Sequence, residues 1–250
     1  MSLVSRRKWM AAGVGTSAGL TGLAALAGDR FLPADARSLY GAGATLTYAA
    51  HRLLGSQAMA REFPRSEISK VPYPNGKPPK DEIFTSQQAN GFADWKLSIG
   101  GLIARPISFS LSELKSMPSK SQITQLTCEE GWSYVAEWTG VPLSFVLQEA
   151  GVQPGAKFVV YASLKVKGAR YDSVDLEEAL HPQTLVTYGL NGEDLPVGNG
   201  GPLRMRVPRQ LGYKSIKYMT SITVTDSLAG YGKGKGSSAA DAGYAWFAGV

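Results

Sequence analysis

The chain has one cysteine and two histidines in 250 residues, and that scarcity removes several chemistries. Cys128 has no partner for an intramolecular disulfide. Around it, His51 and His181 no C-x-x-C-H haem attachment, paired Cys/His zinc site or H-E-x-x-H metalloprotease helix can be assembled. Charge is also sparse: 18% of residues are charged, and Trp9–Gly28 carries none. The net charge is +6, but Arg6, Arg7, Lys8 and Arg30 outnumber Asp29 and Asp35 in the first 36 residues, so the remainder is only mildly basic. Its basic residues are dispersed and no nucleic-acid motif accompanies them, so an anionic cofactor or partner fits better than nucleic acid. Two apparent motifs fail on context. Gly15-Thr16-Ser17-Ala18-Gly19 matches G-x-S-x-G but lies in the uncharged N-terminal run rather than on a strand-turn-helix elbow. Gly41-Ala42-Gly43 lacks the third glycine and the preceding strand of a dinucleotide fold.

What the N-terminus does contain is Ser5-Arg6-Arg7-Lys8-Trp9-Met10, the twin-arginine export pattern. The glycines and hydroxyl residues in Trp9–Gly28 keep its hydrophobicity below that of a typical spanning helix, which suits a targeting segment over residues 1–36. Cleavage at Ala25-Leu26-Ala27 or Ala34-Asp35-Ala36 gives a periplasmic protein; an uncleaved leader gives an anchored one. The twin-arginine route carries proteins already folded, often around a cofactor.

That leader makes Cys128 informative, because exported proteins normally use cysteines in pairs. Cys128 is either a small buried hydrophobe, as most free cysteines are, or a thiolate kept for a metal or for redox chemistry.

Past the leader the chain reads as one α+β domain. Residues 37–90, with Pro64, Pro72, Pro74, Pro78, Pro79 and an Asn75-Gly76 turn, predict an extended arm wrapped over the core. Trp95–Ile99 alternates as a strand, Gly100-Gly101 offers a hairpin turn, and Ser110-Leu111-Ser112-Glu113 is a capping box opening a short helix that Pro118 ends. Gln122–Thr127 predicts a strand whose end presents Cys128. Pro142–Ala150 predicts a helix capped by Gly151, Lys157–Ser163 a strand, and Asp175–Leu180 a short helix. Thr184–Leu190 and Glu193–Leu195 flank an Asn191-Gly192 hairpin turn. In Leu203-Arg204-Met205-Arg206-Val207 the alternation puts both arginines on one face, either a solvated edge strand or an anion site. Gly212-Tyr213-Lys214-Ser215-Ile216-Lys217 adds backbone donors and two ammonium groups, the ingredients of a phosphate cradle.

Three separated features, C-x-E-G-W at Cys128, Asn199-Gly200-Gly201-Pro202-Leu203-Arg204 and Gly212–Lys217, together resemble the molybdopterin-binding domain of the sulfite oxidase family. The resemblance covers a core of residues 91–226 and takes in Trp138-Thr139-Gly140-Val141-Pro142-Leu143 and His181-Pro182-Gln183-Thr184-Leu185; residues 227–250 remain as a Gly/Lys-rich tail. It implies mixed sheets with short helices and a molybdenum held by the dithiolene of one molybdopterin per chain, by oxo or hydroxo ligands and by one protein thiolate. That thiolate is Cys128, as metal ligand and catalytic residue. By the same resemblance Ser163, Asn199, Arg204, Ser215, Ile216 and Lys217 are the pterin and phosphate contacts. Trp132 and Trp138 wall the site or pack as ordinary core, and His181 is structural.

The similarity is to the bacterial periplasmic branch that includes the catalytic subunit of protein-methionine-sulfoxide reductase. It implies two-electron oxygen-atom transfer on a small-molecule or protein-bound oxide. Electrons then pass through a separate partner of the membrane haem kind, and the protein is a monomer, since the large dimerisation domain of eukaryotic-type sulfite oxidases has no counterpart here. Sulfite-oxidising members carry arginines shortly after the metal cysteine, whereas Glu129 and Glu130 stand here and oppose a divalent anion. The reductases' N-terminal Asn/Tyr-rich cofactor motif is not matched by Arg61–Ser69. A sulfite oxidase, a non-catalytic molybdopterin carrier and a metal-free thiol redox protein are the alternatives.

Overall fold

Alternation of polar and apolar residues builds two sheets in the computed structural model, which describes Pro33 and residues 41–250. The expected export leader over residues 1–36 therefore lies outside the described residues, Pro33 excepted. The first sheet is mixed and runs β2 (Ile107–Ser110), β1 (Lys96–Gly101), β10 (Met219–Thr225), β5 (Phe158–Ser163), β6 (Tyr171–Asp175), with β1 and β10 parallel and the other pairs antiparallel. The second is antiparallel and runs β3 (Lys120–Thr127), β4 (Ser133–Pro142), β7 (Leu185–Leu190), β8 (Glu193–Asp194), with β9 (Arg204–Arg206) pairing the half of β7 that β8 leaves open. Leu97, Ile99 and Ile222 from the first sheet pack with Val141, Val186 and Met205 from the second in one core.

The described residues also form six α-helices, α1 (Gly41–Leu54), α2 (Glu82–Ala89), α3 (Leu111–Ser116), α4 (Leu143–Ala150), α5 (Leu176–Ala179) and α6 (Ser238–Asp241), and three single-turn 3-10 helices. Local chemistry sets several ends. Ser110 and Glu113 form the expected reciprocal capping box of α3. Gly151 closes α4 in the left-handed conformation. The Asp175 side chain accepts from Glu178 N at 2.8 Å and starts α5.

Two expectations are corrected, and two further features go beyond them. Residues 37–90 are not extended throughout, because α1 and α2 lie within them; α1 is held by tertiary contacts that its sequence does not advertise. Gly100-Gly101 is the end of β1 rather than a turn, since the connection to β2 runs through 102–106. The strands β4 and β6 were not expected. β6 carries two aspartates, residues that strands disfavour, and both are retained by buried cations: Arg52 on Asp175 and Lys214 on Asp172. Finally, residues 227–250 pack into the molecule, where Trp246 and Phe247 are buried with Tyr48 of α1 and the Trp246 indole donates to Ser173 Oγ at 2.8 Å.

Candidate cofactor site

The chain crosses from the second sheet to the first between β9 and β10, and the predicted site residues collect at that crossing. Cys128 sits at the start of the five-residue tip between β3 and β4. There its N–H donates to Trp132 O at 2.9 Å and its carbonyl accepts from Gly131 N at 3.1 Å. The tip is a hairpin rather than an open loop because β3 and β4 pair in register from Lys120↔Gly140 to Thr127↔Ser133. Gly212 abuts it: a Cβ there would lie 3.1 Å from Leu126 Cδ2, 3.3 Å from Thr127 O and 3.6 Å from Cys128 Cα. Glycine thus lets the Gly212–Lys217 turn close on the cysteine.

The turns on either side of β9 are laced by one arginine. Arg204 Nη1 donates to Asn199 O at 2.8 Å and its Nε to Ser215 O at 3.0 Å. Gly200, at φ +110°, leaves no room for a side chain, since a Cβ would fall 2.7 Å from Lys217 Cγ and 3.2 Å from Arg204 Cδ. Ile216 O accepts from Met205 N at 2.9 Å, and Ser215 Oγ accepts from Val207 N at 3.3 Å. Ser163 ends β5 beside this turn, where Leu164 N donates to Tyr218 O at 2.8 Å; its hydroxyl accepts from Arg170 N at 2.8 Å. Asn199, Arg204 and Ser215 thus share one hydrogen-bonded network with Lys217 packed on Gly200, while Ser163 lies at the end of β5 and Cys128 against Gly212.

Three of the groups there are cations without a carboxylate. Arg204 and Arg206 are buried and Lys217 half-buried, and among the described residues none of the three forms an ion pair. Burial lowers the pKa of Arg204. Burial, and then Arg204 beside it, lower Arg206 to about 9 and Lys217 to about 7. Arg206 Nη2 reaches Gln125 O at 2.6 Å and Thr124 Oγ1 at 3.1 Å, yet its Nε and Nη1 are buried with no hydrogen-bond partner, as is Tyr134 Oη. The solvated edge strand that the alternation of 203–207 permitted is not what forms. Buried, mutually repelling donors of this kind fit an anion.

The structure separates the two lysines that the sequence grouped. Lys217 Nζ stays at the cradle, donating to Asn75 O at 2.6 Å, but Lys214 is fully buried on the far side, 2.7 Å from Asp172 Oδ1 and 2.9 Å from Ser173 O. Burial raises the pKa of Asp172 while Lys214 opposes the rise. Lys214→Met should thus cost about 3 kcal/mol of stability by stranding that carboxyl, and Asp172→Asn in the same chain should restore most of it. Urea unfolding at pH 7 reads both values.

The tryptophans also divide. Trp138 is core, fully buried with its indole donating to Thr124 O at 3.2 Å; the Arg204 and Arg206 guanidinium carbons lie 5.5 and 5.0 Å from its ring centre. Trp132 is half-buried at the cysteine turn, stacked on Tyr134 at 6.0 Å and topped by exposed Tyr73 at 4.8 Å. Tyr73 belongs to a strip the sequence reading passed over. Pro72 O accepts from Asn199 Nδ2 at 3.4 Å, and a Cβ on Gly198 would meet Pro74 Cβ at 3.1 Å. So Pro72–Asn75, not Arg61–Ser69, is the part of the arm that touches the cradle. The Tyr-Pro-Asn run beside an Asn-Gly turn was its only signal. His181 is structural as expected: buried, its Nδ1 accepting from Gln183 N at 3.3 Å, with burial lowering its pKa to about 4.

At Cys128 the free thiol is buried, and that burial, with Glu129 and Glu130 nearby, pushes it up to about 11. Its Sγ lies 3.3 Å from Glu129 Oε2, and Glu130 Oε2 accepts from the Trp132 indole at 2.8 Å. A neutral, shielded thiol is a poor nucleophile, so metal-free thiol chemistry is disfavoured.

A profile of the oxidoreductase molybdopterin binding domain matches residues 84–230. The chain thus belongs to the oxidoreductases with the sulfite-oxidase-type molybdopterin-binding fold. Its relatives place it in the bacterial branch with the protein-methionine-sulfoxide reductases. It is 35% identical over 199 residues to the putative protein-methionine-sulfoxide reductase subunit YedZ1 of Azospira oryzae, covering 79% of this chain and 70% of that one. It is 40% identical over 147 residues to the protein-methionine-sulfoxide reductase catalytic subunit MsrP of Xanthomonas axonopodis pv. citri, covering 54% of this chain and 46% of that one, so the chain spans under half the length of that relative. Among solved structures it is similar to the sulfane dehydrogenase SoxCD from Paracoccus pantotrophus, with TM-score 0.51 and 26% identity over 54% of this chain and 39% of that one.

Proposed function

We propose that this protein is a periplasmic, molybdopterin-dependent oxidoreductase that removes an oxygen atom from an S- or N-oxide in a two-electron reaction. The observation that carries the reading is the cluster of buried Arg204 and Arg206 with half-buried Lys217, none of them ion-paired among the described residues, with the Cys128 charge felt at Arg204. The residues fit the cofactor. Arg204 and Lys217 supply charge for a phosphate, Asn199, Ser163 and Ser215 supply neutral polar atoms, and Gly200 and Gly212 allow close backbone approach. Cys128 supplies one thiolate to the metal. Molybdenum bound there supplies the two-electron redox change on which oxygen-atom transfer depends.

The chain's own part is positioning and exclusion. Binding a metal displaces the Cys128 proton, because only the thiolate is a ligand. Tyr73 and Trp132 form an aromatic rim at the cysteine turn against which an apolar sulfoxide group can pack. Glu129 and Glu130 form no ion pair among the described residues and leave the turn acidic, which favours a neutral oxide over the sulfite dianion. Electrons arrive from a separate partner, a membrane haem protein in our reading, since one cysteine furnishes neither a c-type haem attachment nor a cysteine-ligated iron-sulfur cluster in this sequence.

Turnover of cofactor-loaded protein with a reduced viologen dye tests this. Methionine sulfoxide, dimethyl sulfoxide or trimethylamine N-oxide should reoxidise the dye, while sulfite should reduce ferricyanide poorly. Faster sulfite oxidation than oxide reduction overturns the proposed direction.

The cradle also has a pH signature. Lys217 titrates near 7 when no anion is present; an anion raises that value, so binding takes up a proton and weakens as pH rises through 7. Sulfate binding to the metal-free protein by calorimetry should be roughly tenfold tighter at pH 6 than at pH 8. Equal affinities would remove Lys217 from the cradle.

A further inference from the structure

Helix α1 is built inside out. Its inward stripe is polar: Tyr48 Oη donates to Asp175 Oδ2 at 2.6 Å, and Arg52 lies 2.6 Å from Asp175 and 3.3 Å from Glu178. Arg209 joins the cluster at 3.2 Å from Glu178. The outward stripe is aliphatic. Leu46 is 49% exposed, Leu53 65% and Leu54 89%, and with exposed Ala50 they follow the i, i+4, i+7, i+8 spacing of one helix face. That stripe carries no charge. Beside it opens a groove of about 300 Å³ whose wall is mostly apolar, with Ala50, Leu54, Ala58, half-exposed Met59 and Val250, and which His51 and the Glu178-paired Arg209 also line. Water-facing leucines continuous with an apolar groove mark a surface meant to be covered.

We propose that this face lies on the surface of a phospholipid bilayer, with α1 in the plane of the membrane. The occupant is indicated by the chain that enters α1. Trp9–Gly28 is an uncharged run behind a twin-arginine pattern, and only Asp29–Tyr40 separates it from the helix. An apolar leader and an apolar helix face so near in the chain converge on one apolar phase. Helices of this kind bury their aliphatic side to about 5–10 Å and usually present lysines to anionic headgroups. Here the helix's own arginine is consumed by Asp175 and Glu178, so the attraction is apolar and indifferent to lipid charge. The fold fixes the depth, because the buried ion cluster ties α1 to α5 and to Arg209. The molecule then rests with α1 on the membrane, an arrangement that suits electron delivery from a membrane partner. The inference uses the export reading for the source of the membrane but not the oxide-reducing activity.

A polarity-sensitive dye on Leu54→Cys in the cofactor-loaded full chain tests it, with dye-treated unsubstituted protein correcting for Cys128. On adding phosphatidylcholine vesicles the dye should shift to the blue and be quenched by a lipid-borne quencher, to the same degree with or without added phosphatidylglycerol. Leu46→Ser with Leu53→Ser should lower the quenched fraction at limiting lipid by about tenfold or more. Because both leucines point outward, circular dichroism and molybdenum content should not change. A dye that stays in water while the protein floats with vesicles shows that the leader alone holds the chain and overturns the proposal, as does failure to float. A shift that appears without lipid and grows with protein concentration assigns the face to a second copy instead and also overturns it. Sulfoxide turnover in the same samples is read separately, so failure of the membrane contact is distinguishable from failure of the redox assignment.

Discussion

Cys128→Ala abolishes oxygen-atom transfer while leaving the fold intact. The side chain is small and buried, with Sγ 3.3 Å from Glu129 Oε2, so its truncation should cost only about 1 kcal/mol of stability in the cofactor-free protein. Catalysis is another matter, because in the proposed site the Cys128 thiolate is the one ligand the chain gives the metal. Turnover should fall by at least about a hundredfold. The cradle of Arg204, Ser215 and Lys217 is untouched by the change, so pterin should still be recovered with the protein. Viologen-linked assays on samples normalised by pterin content read the effect. Substantial turnover in cofactor-loaded Cys128→Ala protein removes Cys128 from the metal.

The two arginines of β9 should respond oppositely in the cofactor-free protein. Arg206 is fully buried with Nε and Nη1 unsatisfied. Replacing it by methionine removes an unpaired charge and should raise stability by about 1–3 kcal/mol. Arg204→Met instead deletes the hydrogen bonds to Asn199 O and Ser215 O that hold the two turns together. It should lower stability by about 2 kcal/mol, at the usual worth of charged hydrogen bonds net of the burial relieved. Both variants should lose cofactor on dialysis, Arg204→Met by about a hundredfold in affinity, since each takes a positive charge from the anion. Denaturant melts of metal-free protein, paired with pterin fluorescence after dialysis, separate stability from retention. If Arg206→Met is destabilised as much as Arg204→Met, the cluster is an ordinary structural one.

What could be seen in the sequence was what local chemistry decides. The Ser110/Glu113 box, Gly151 and the Asn191-Gly192 turn each act within a few residues, and each appears where it was expected. The Cys128, Asn199–Arg204 and Gly212–Lys217 runs were legible only together, as a family resemblance, since alternation by itself left Arg204 and Arg206 open between a solvated edge and an anion site. Features set by distant partners were not legible. β6 reads as loop until Lys214 and Arg52 are known to meet its aspartates across the fold. Which lysine of Lys214 and Lys217 faces the cradle depends on Asp172, more than forty positions away in the chain. α1 hid because its amphipathicity is reversed, with the ion cluster inward and leucines outward. Pro72–Asn75 hid because its contacts with Asn199 and Lys217 use backbone carbonyls, which any residue carries.

The central claim is that this fold holds molybdenum on a pterin through Cys128. Elemental analysis of the protein purified after export from a host that makes the cofactor tests it most directly. Molybdenum should be present in near-stoichiometric ratio to the chain, together with pterin. A well-folded, metal-free product from that host would contradict it.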